Sequence, residues 1–155
     1  MWEIKTGRLL HTLTGHEGGV RSVALSADAG IIVSGSDDHT VKVWEIKTGR
    51  LLHTLTGHGN SVYSVALSAD TGIIVSGSDD HTVKVWEIKT GRLLHTLTGH
   101  GNSVYSVALS ADAGIIVSGS WDNTVKVWGI KAVVGKGEGF SGPHCLSRAN
   151  DLSLA

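Results

Sequence analysis

An all-β fold of stacked, four-stranded antiparallel sheets is predicted by three observations. The chain repeats with a period of 42 residues, marked by Trp2, Trp44, Trp86 and Trp128, and such a period signals one supersecondary unit stacked on its own copies. Each unit is made of short runs rich in β-branched residues, broken by turn residues, which is the pattern of strands rather than helices. The 21 glycines against a single proline supply the many tight turns that such strands need.

The segments 2–43, 44–85 and 86–127 align without a gap; the first and second differ at five positions and the second and third at three. The chain is one module written three times. In the middle copy "SVYSVALS" (61–68) and "GIIVSGS" (72–78) are the first two strands, joined by the turn residues "ADT". "TVKVWEI" (82–88) alternates apolar and polar residues and forms the third. "RLLHTLT" (92–98) is the fourth, entered through "KTG", where Gly91 is expected at positive φ. "SVALS" and "GIIVSG" are apolar enough to need cover on both faces, which a lone four-stranded sheet cannot provide. The sheets must therefore stack on one another.

Counted in order, the strands divide the chain unevenly. Residues 1–14 carry a spare outer strand (8–14), residues 15–56 and 57–98 are complete units, and residues 99–130 hold three strands with the outer one missing. Residues 131–155 depart from the repeat, contain no further "RLLHTLT", and are expected to be poorly ordered.

Composition narrows the function. With 41% apolar and 17% charged residues the chain suits a soluble globular class. A formal net charge of −1 makes no broad field for a phosphate backbone or an anionic membrane, so neither nucleic acid nor membrane is expected as a partner. No apolar run approaches the roughly 20 residues of a membrane-spanning helix, and "MWEIKTGRLL" lacks the apolar core of a signal peptide. A cytoplasmic location is expected. Cys145 has no second cysteine for an intrachain disulfide, and with His144 it supplies too few ligands for a metal.

Gly57 and His58, then Ser76, Gly77 and Ser78, then Asp80, then Trp86, recur in that order at the fixed period. In this they resemble a blade of the WD-repeat β-propeller family, over residues 2 to 130. The dipeptide that names the family reads Trp-Glu at Trp2, Trp44 and Trp86 and Trp-Gly at Trp128, and Ala27, Ala69 and Ala111 stand where proline is usual. Neither change removes a member of the internal hydrogen-bond network. The resemblance implies three propeller blades per chain, closed into a ring only by oligomerisation. It also implies a buried relay in each blade: His16, Ser34, Asp38 and Trp44; His58, Ser76, Asp80 and Trp86; His100, Ser118, Asp122 and Trp128. Ser36, Ser78 and Ser120 are the alternatives if the register moves by one pleat. A buried indole N–H and a buried carboxylate each need a partner, and a histidine between them can serve both ends.

Serine, histidine and aspartate together suggest a hydrolase, but an active site is one set, whereas this trio recurs in every unit. Repetition points to structure, and no enzyme is expected. Nine histidines suggest metal, yet His11, His53 and His95 fall in the outer strand, His39 and His81 in the turn between second and third strands, and the relay takes three more. No metal or cofactor is expected. The glycines of "KGEGFSG" (136–142) follow no strand and precede no helix, so they make no phosphate loop. The basic residues of "KTGR" recur with Glu45, Asp70 and their equivalents, as a mixed-charge solvated surface does.

Comparing the copies with one another locates a candidate binding surface. Glu17, Gly18, Gly19 and Arg21 stand against Gly59, Asn60, Ser61 and Tyr63; Asp79 and His81 stand against Trp121 and Asn123; Ala29 against Thr71 is the remaining difference. All but the last lie in loops that the resemblance places on one rim. Arg21, Tyr63, Tyr105 and Trp121, with Asp37 and Asp79 beside them, are expected to form a partner-binding rim for a protein or peptide.

Propellers close at about four to eight blades, so three leave two bare faces. The strand at 8–14 is therefore expected to latch onto the last blade of a neighbouring copy, a head-to-tail contact that makes rings. Two chains would give six blades at about 60° each and three would give nine at about 40°. Crowding of Tyr63, Tyr105 and Arg21 in the narrower ring favours the homotrimer over the homodimer. The function expected is a non-enzymatic interaction scaffold. The alternatives are a small-ligand or glycan binder using pockets between blades, and a recently amplified or truncated fragment with no dedicated partner.

Overall fold

The computed structural model describes residues 2–130 and 144–146. The first sheet is β1 (Val20–Leu25), β2 (Ile31–Ser36), β3 (Val41–Glu45) and β4 (Leu51–Leu55). The second is β5 (Val62–Ser68), β6 (Ile73–Ser78), β7 (Val83–Glu87) and β8 (Leu93–Leu97). The third is β9 (Val104–Leu109), β10 (Ile115–Ser120), β11 (Val125–Gly129) and β12 (His144–Leu146). Each is an antiparallel meander in chain order. The strands expected at 61–68, 72–78, 82–88 and 92–98 match β5 to β8 to within a residue at each end. Gly91 sits at φ 72°, closing the hairpin between the third and fourth strands.

The hydrophobic core lies between sheets rather than within one. Val33, Val43 and Leu55 of the first sheet meet Val62, Val65 and Ile74 of the second. Val75, Val85 and Leu97 of the second meet Val104, Val107 and Ile116 of the third in the same way. Gly77 lets the sheets approach: a Cβ there would stand 2.7 Å from Val104 Cγ1. Among the described residues no helix is long and apolar enough to cross a membrane.

The sheets do not close into a ring, and both ends of the stack are bare. Val20 and Val23 of β1 are 53% and 67% exposed, whereas their equivalents Val62 and Val65 are 0% and 6%. At the other end Val125 is 67% exposed where Val41 and Val83 are fully buried.

The outer position of the third sheet was expected to be empty, and here the structure differs. His144–Leu146 pairs there with Val127, Trp128 and Gly129 of β11. An edge strand presents unpaired N–H and C=O groups that recruit whatever backbone can reach them. The substitute is short: β8 pairs along β7 as far as Val83, while β12 stops at Val127 and leaves Val125 and Lys126 outside its register. The expected disorder of the remaining tail lies outside the described residues.

Residues 8–14 form no regular strand, but Trp2 bridges Leu9 as Trp44 pairs Leu51. A Cβ on Gly49 would stand 3.3 Å from His11 and 3.4 Å from Leu13, much as one on Gly91 would stand 3.2 Å from His53 and from Leu55. The segment thus lies beside the first sheet where the outer strand of a preceding blade would lie.

Candidate functional site

The relay residues are brought together in all three blades. In the second, Trp86 Nε1–H donates to Ser76 Oγ at 2.9 Å, Ser76 Oγ lies 2.7 Å from His58 Nε2, and His58 Nδ1 lies 2.7 Å from Asp80 Oδ2. The first repeats this through Trp44, Ser34, His16 and Asp38, and the third through Trp128, Ser118, His100 and Asp122. One assignment of hydrogens satisfies every member: the indole donates to serine, the serine hydroxyl to Nε2, and Nδ1–H to the carboxylate. Ser34, Ser76 and Ser118 occupy the relay. Ser36, Ser78 and Ser120 instead turn their hydroxyls to the backbone of the rim loops, with Ser36 and Ser78 accepting from Asp38 N and Asp80 N.

The carboxylates anchor the rim above. Asp80 Oδ1 accepts from Thr82 N and Oγ1, and Oδ2 accepts from Gly59 N as well as from the histidine. Burial alone would raise the Asp80 carboxyl, but hydrogen bonds from His58 and Thr82 outweigh it and hold it far below the usual carboxylate range. Asp38 is lowered in the same way, against the same burial penalty, by Thr40 and His16. For Asp122 the Thr124 hydroxyl is the main cause of the lowering.

The order Ser, His, Asp is that of a hydrolase, yet each serine lies buried beneath an indole that already donates to it. No substrate carbonyl can reach an oxygen so placed. The relay joins second strand, third strand and rim loop into one piece. Among the described residues no group of three or more His, Cys, Asp or Glu could hold a metal ion.

The six rim residues share one edge of the stack, and two features put them there. Arg21, Tyr63 and Tyr105 are each the extra residue where the pairing of first and second strands shifts by one. A β-bulge re-aims its side chain, here out of the sheet and onto the rim. Asp37, Asp79 and Trp121 begin the turn after the second strand, fixed by backbone bonds from Asp37 N, Asp79 N and Trp121 N to the carbonyls of Gly19, Ser61 and Ser103.

Among the rim side chains one stacking contact crosses between blades and two contacts stay within a blade. Tyr63 and Tyr105 stack with centroids 4.7 Å apart and planes 4° from parallel, and Trp121 follows at 5.2 Å from Tyr105. Trp121 is 68% exposed. Arg21 grips Asp37 with two nitrogens, Nε at 2.8 Å and Nη2 at 2.7 Å. That pairing raises the guanidinium and lowers the carboxyl. Burial pushes the Tyr63 phenol up, and the Asp79 charge adds to it.

Sequence reasoning missed Ser22, Ser64 and Ser103. Ser103 Oγ donates to Asp79 of the preceding blade, while Ser22 and Ser64 accept from Val65 N and Val107 N of the following one. Their recurrence at the 42-residue period was visible, but serine on a strand carries no sign of which neighbour it meets. A cleft between second and third blades, on the opposite edge, is lined by Asp70, Glu87, Lys89, Arg92 and His95 over an apolar floor. Burial holds His95 below its usual range.

Three stretches, residues 7–45, 49–87 and 91–129, match the family model described as WD domain, G-beta repeat. A stretch of 43 residues, 28% of this chain, is 46% identical to the periodic tryptophan protein 2 homolog of Schizosaccharomyces pombe. The match to the protein of the same name from Neurospora crassa has the same extent and identity. The chain spans only 5% of the length of either relative.

Proposed function

Since the chain belongs to the WD-repeat family, whose members in general serve as protein-interaction scaffolds, we propose that it is a non-enzymatic scaffold that assembles with its own copies and presents the aromatic rim to a protein or peptide. The observation that carries the binding part is the continuous stack of half-buried Tyr63 on exposed Tyr105 and Trp121. Stacked aromatics offer large contact area at low cost in side-chain entropy, and aromatic residues dominate binding hot spots. The relay beneath holds the loops that bear them, so the surface is preorganised.

Assembly is supported by the bare faces at Val20, Val23 and Val125 and by the N-terminal segment lying in an outer-strand position without a sheet of its own. The strand at 8–14 then latches onto the last blade of a second copy in place of β12, making a ring of six or nine blades from two or three chains.

A second reading, small-ligand binding, has its own support in the charged cleft between second and third blades. Peptide selection from a displayed library separates the two. Peptides selected on the wild-type chain are expected to lose at least ten-fold in affinity on the Tyr63→Ala/Tyr105→Ala variant, and a bulky fusion of such a peptide to saturate at one or two per ring. Undiminished affinity, or one ligand per blade, would transfer the function to the clefts.

A further inference from the structure

Apart from Thr71 in the middle blade, the differences among the three copies fall in the first and third blades, on the rim where the stack would meet another copy of itself. Within the chain the serine that opens the third blade, Ser103, donates to the rim aspartate Asp79 of the blade before it. Ser61 and Asp37 are the equivalent pair one blade earlier, where Ser61 helps Arg21 to lower the carboxyl. Carried one blade further, the same step pairs Trp121 with Gly19. Bulk is added on one side of that pair and removed on the other. The neighbouring position changes with it. Tyr63 stacks on Tyr105 across the blades, and the residue that would follow Tyr105 in the next copy is Arg21, whose planar guanidinium stacks on aromatic faces.

Below the rim the same step matches knobs to notches. Val62 packs over Gly35, where a Cβ would stand 2.7 Å from Val62 Cγ1, and Val104 packs likewise over Gly77. Their counterpart Val20 is more than half exposed, and over Gly119 nothing lies within 4 Å. Ser106 is the exposed counterpart of Ser22 and Ser64, which carry bonds between blades. At the outer edge Lys42 and Lys84 donate to Thr54 and Thr96 of the fourth strand, and by the same spacing Thr12 of a second copy would stand opposite Lys126.

We propose that these residues form a self-recognition joint. The third blade of one chain seats on the first blade of a second copy, with Trp121 over Gly19, Arg21 against Tyr105 and Trp121, and Val20 and Val23 in the notch over Gly119. The inference rests on the self-assembly reading above, gives Trp121 to the joint and leaves Tyr63 and Tyr105 as the peptide surface. It adds what the variant residues at the two ends are for: they distinguish the joint between chains from the joints within one.

Light scattering on the full-length chain after size exclusion, with far-UV circular dichroism to check folding, tests this with four proteins. The wild type is expected at two or three chains. Gly119→Val has open space in a single chain and meets Val20 only in the joint, so it is expected as a folded single chain. Trp121→Asp is expected to raise the dissociation constant at least ten-fold. Trp121→Asp combined with Gly19→Ser rebuilds the aspartate–serine pair of the internal joints and is expected to recover most of that loss. A wild type that runs as a folded single chain would remove assembly and joint together. Assembly undisturbed by Gly119→Val and Trp121→Asp would leave self-assembly standing and remove the joint alone, and a double variant no better than Trp121→Asp would remove the pairing of Trp121 with Gly19.

Discussion

Ser76 Oγ serves two buried groups at once, accepting from the Trp86 indole and donating to His58 Nε2. Ser76→Ala strands both, and an unsatisfied buried polar group costs about 1–3 kcal/mol. The expected loss of stability is about 2–4 kcal/mol by urea denaturation; a loss below about 0.5 kcal/mol, the size of an ordinary surface substitution, would contradict the relay's role. The carboxylates add a dependence on pH whose sign follows from their hydrogen bonds. Asp38, Asp80 and Asp122 are all lowered in the folded state, so the folded state binds protons less readily than the unfolded chain. Their contribution is present above the ordinary aspartate value of about 3.9 and lost as pH falls below it towards the folded values. Thermal midpoints measured downward from pH 6 are expected to hold until about pH 4.5 and then drop; a midpoint unchanged down to pH 3 would mean the carboxylates are not held as described. At this scale the sequence was legible because the relay residues recur in order at one period. The bulges that lift Arg21, Tyr63 and Tyr105 were not legible, since a one-residue slip in pairing depends on the partner strand.

At the scale of elements, close approach of neighbouring sheets rests on glycine. Gly77 lies in β6 with a would-be Cβ 2.7 Å from Val104 and 2.9 Å from Val107. Gly77→Ala forces those valines or the sheet to shift, and overpacking costs about 1–3 kcal/mol. Gly119→Ala, at the same place in β10, meets nothing within 4 Å and is expected to change the stability of the single chain by less than about 0.5 kcal/mol. Equal losses from the two in chemical denaturation, at a dilution where light scattering shows single chains, would show that the blade interface does not decide the cost. The turn after the second strand is another element-scale case. His39, His81 and Asn123 all sit at φ between 66° and 72°, a left-handed conformation in which histidine and asparagine are enriched. Asn123 for His81 is therefore a change the backbone accepts, whereas Trp121 for Asp79 two residues earlier alters the rim. Apart from the one expected at 8–14, which pairs only through the Trp2–Leu9 bridge, the repeat's strands were read to within a residue, because alternation and β-branching act locally. Strand β12 was not, because "HCL" carries no such pattern and pairs only where β11 offers an edge.

For the whole molecule, three blades make an open stack with bare end faces, and the proposed joint sets those two faces against each other as neighbouring blades are set. The first blade carries exposed valines and the third an open glycine notch. Growth through the proposed joint would be head-to-tail, with closure set by the angle per blade: about 60° for two chains or about 40° for three. The assembled mass that tests the joint also counts the blades. In the proposed assembly Tyr63, Tyr105 and Arg21 would crowd the channel mouth of the narrower ring, which is the reason for proposing the wider one. What the sequence by itself determined was the repeat and the strands within it, since both are carried by local pattern at a fixed spacing. The relay was implied by the family resemblance, with two serines open in each blade, and the structure selected Ser34, Ser76 and Ser118. What only the tertiary structure decided was which neighbours those residues meet. It built the aromatic stack across blades, brought β12 to the vacant edge, and left Val23 exposed where Val65 and Val107 are buried. Three copies of one sequence cannot state that difference, because burial belongs to the position of a blade in the stack and not to its residues.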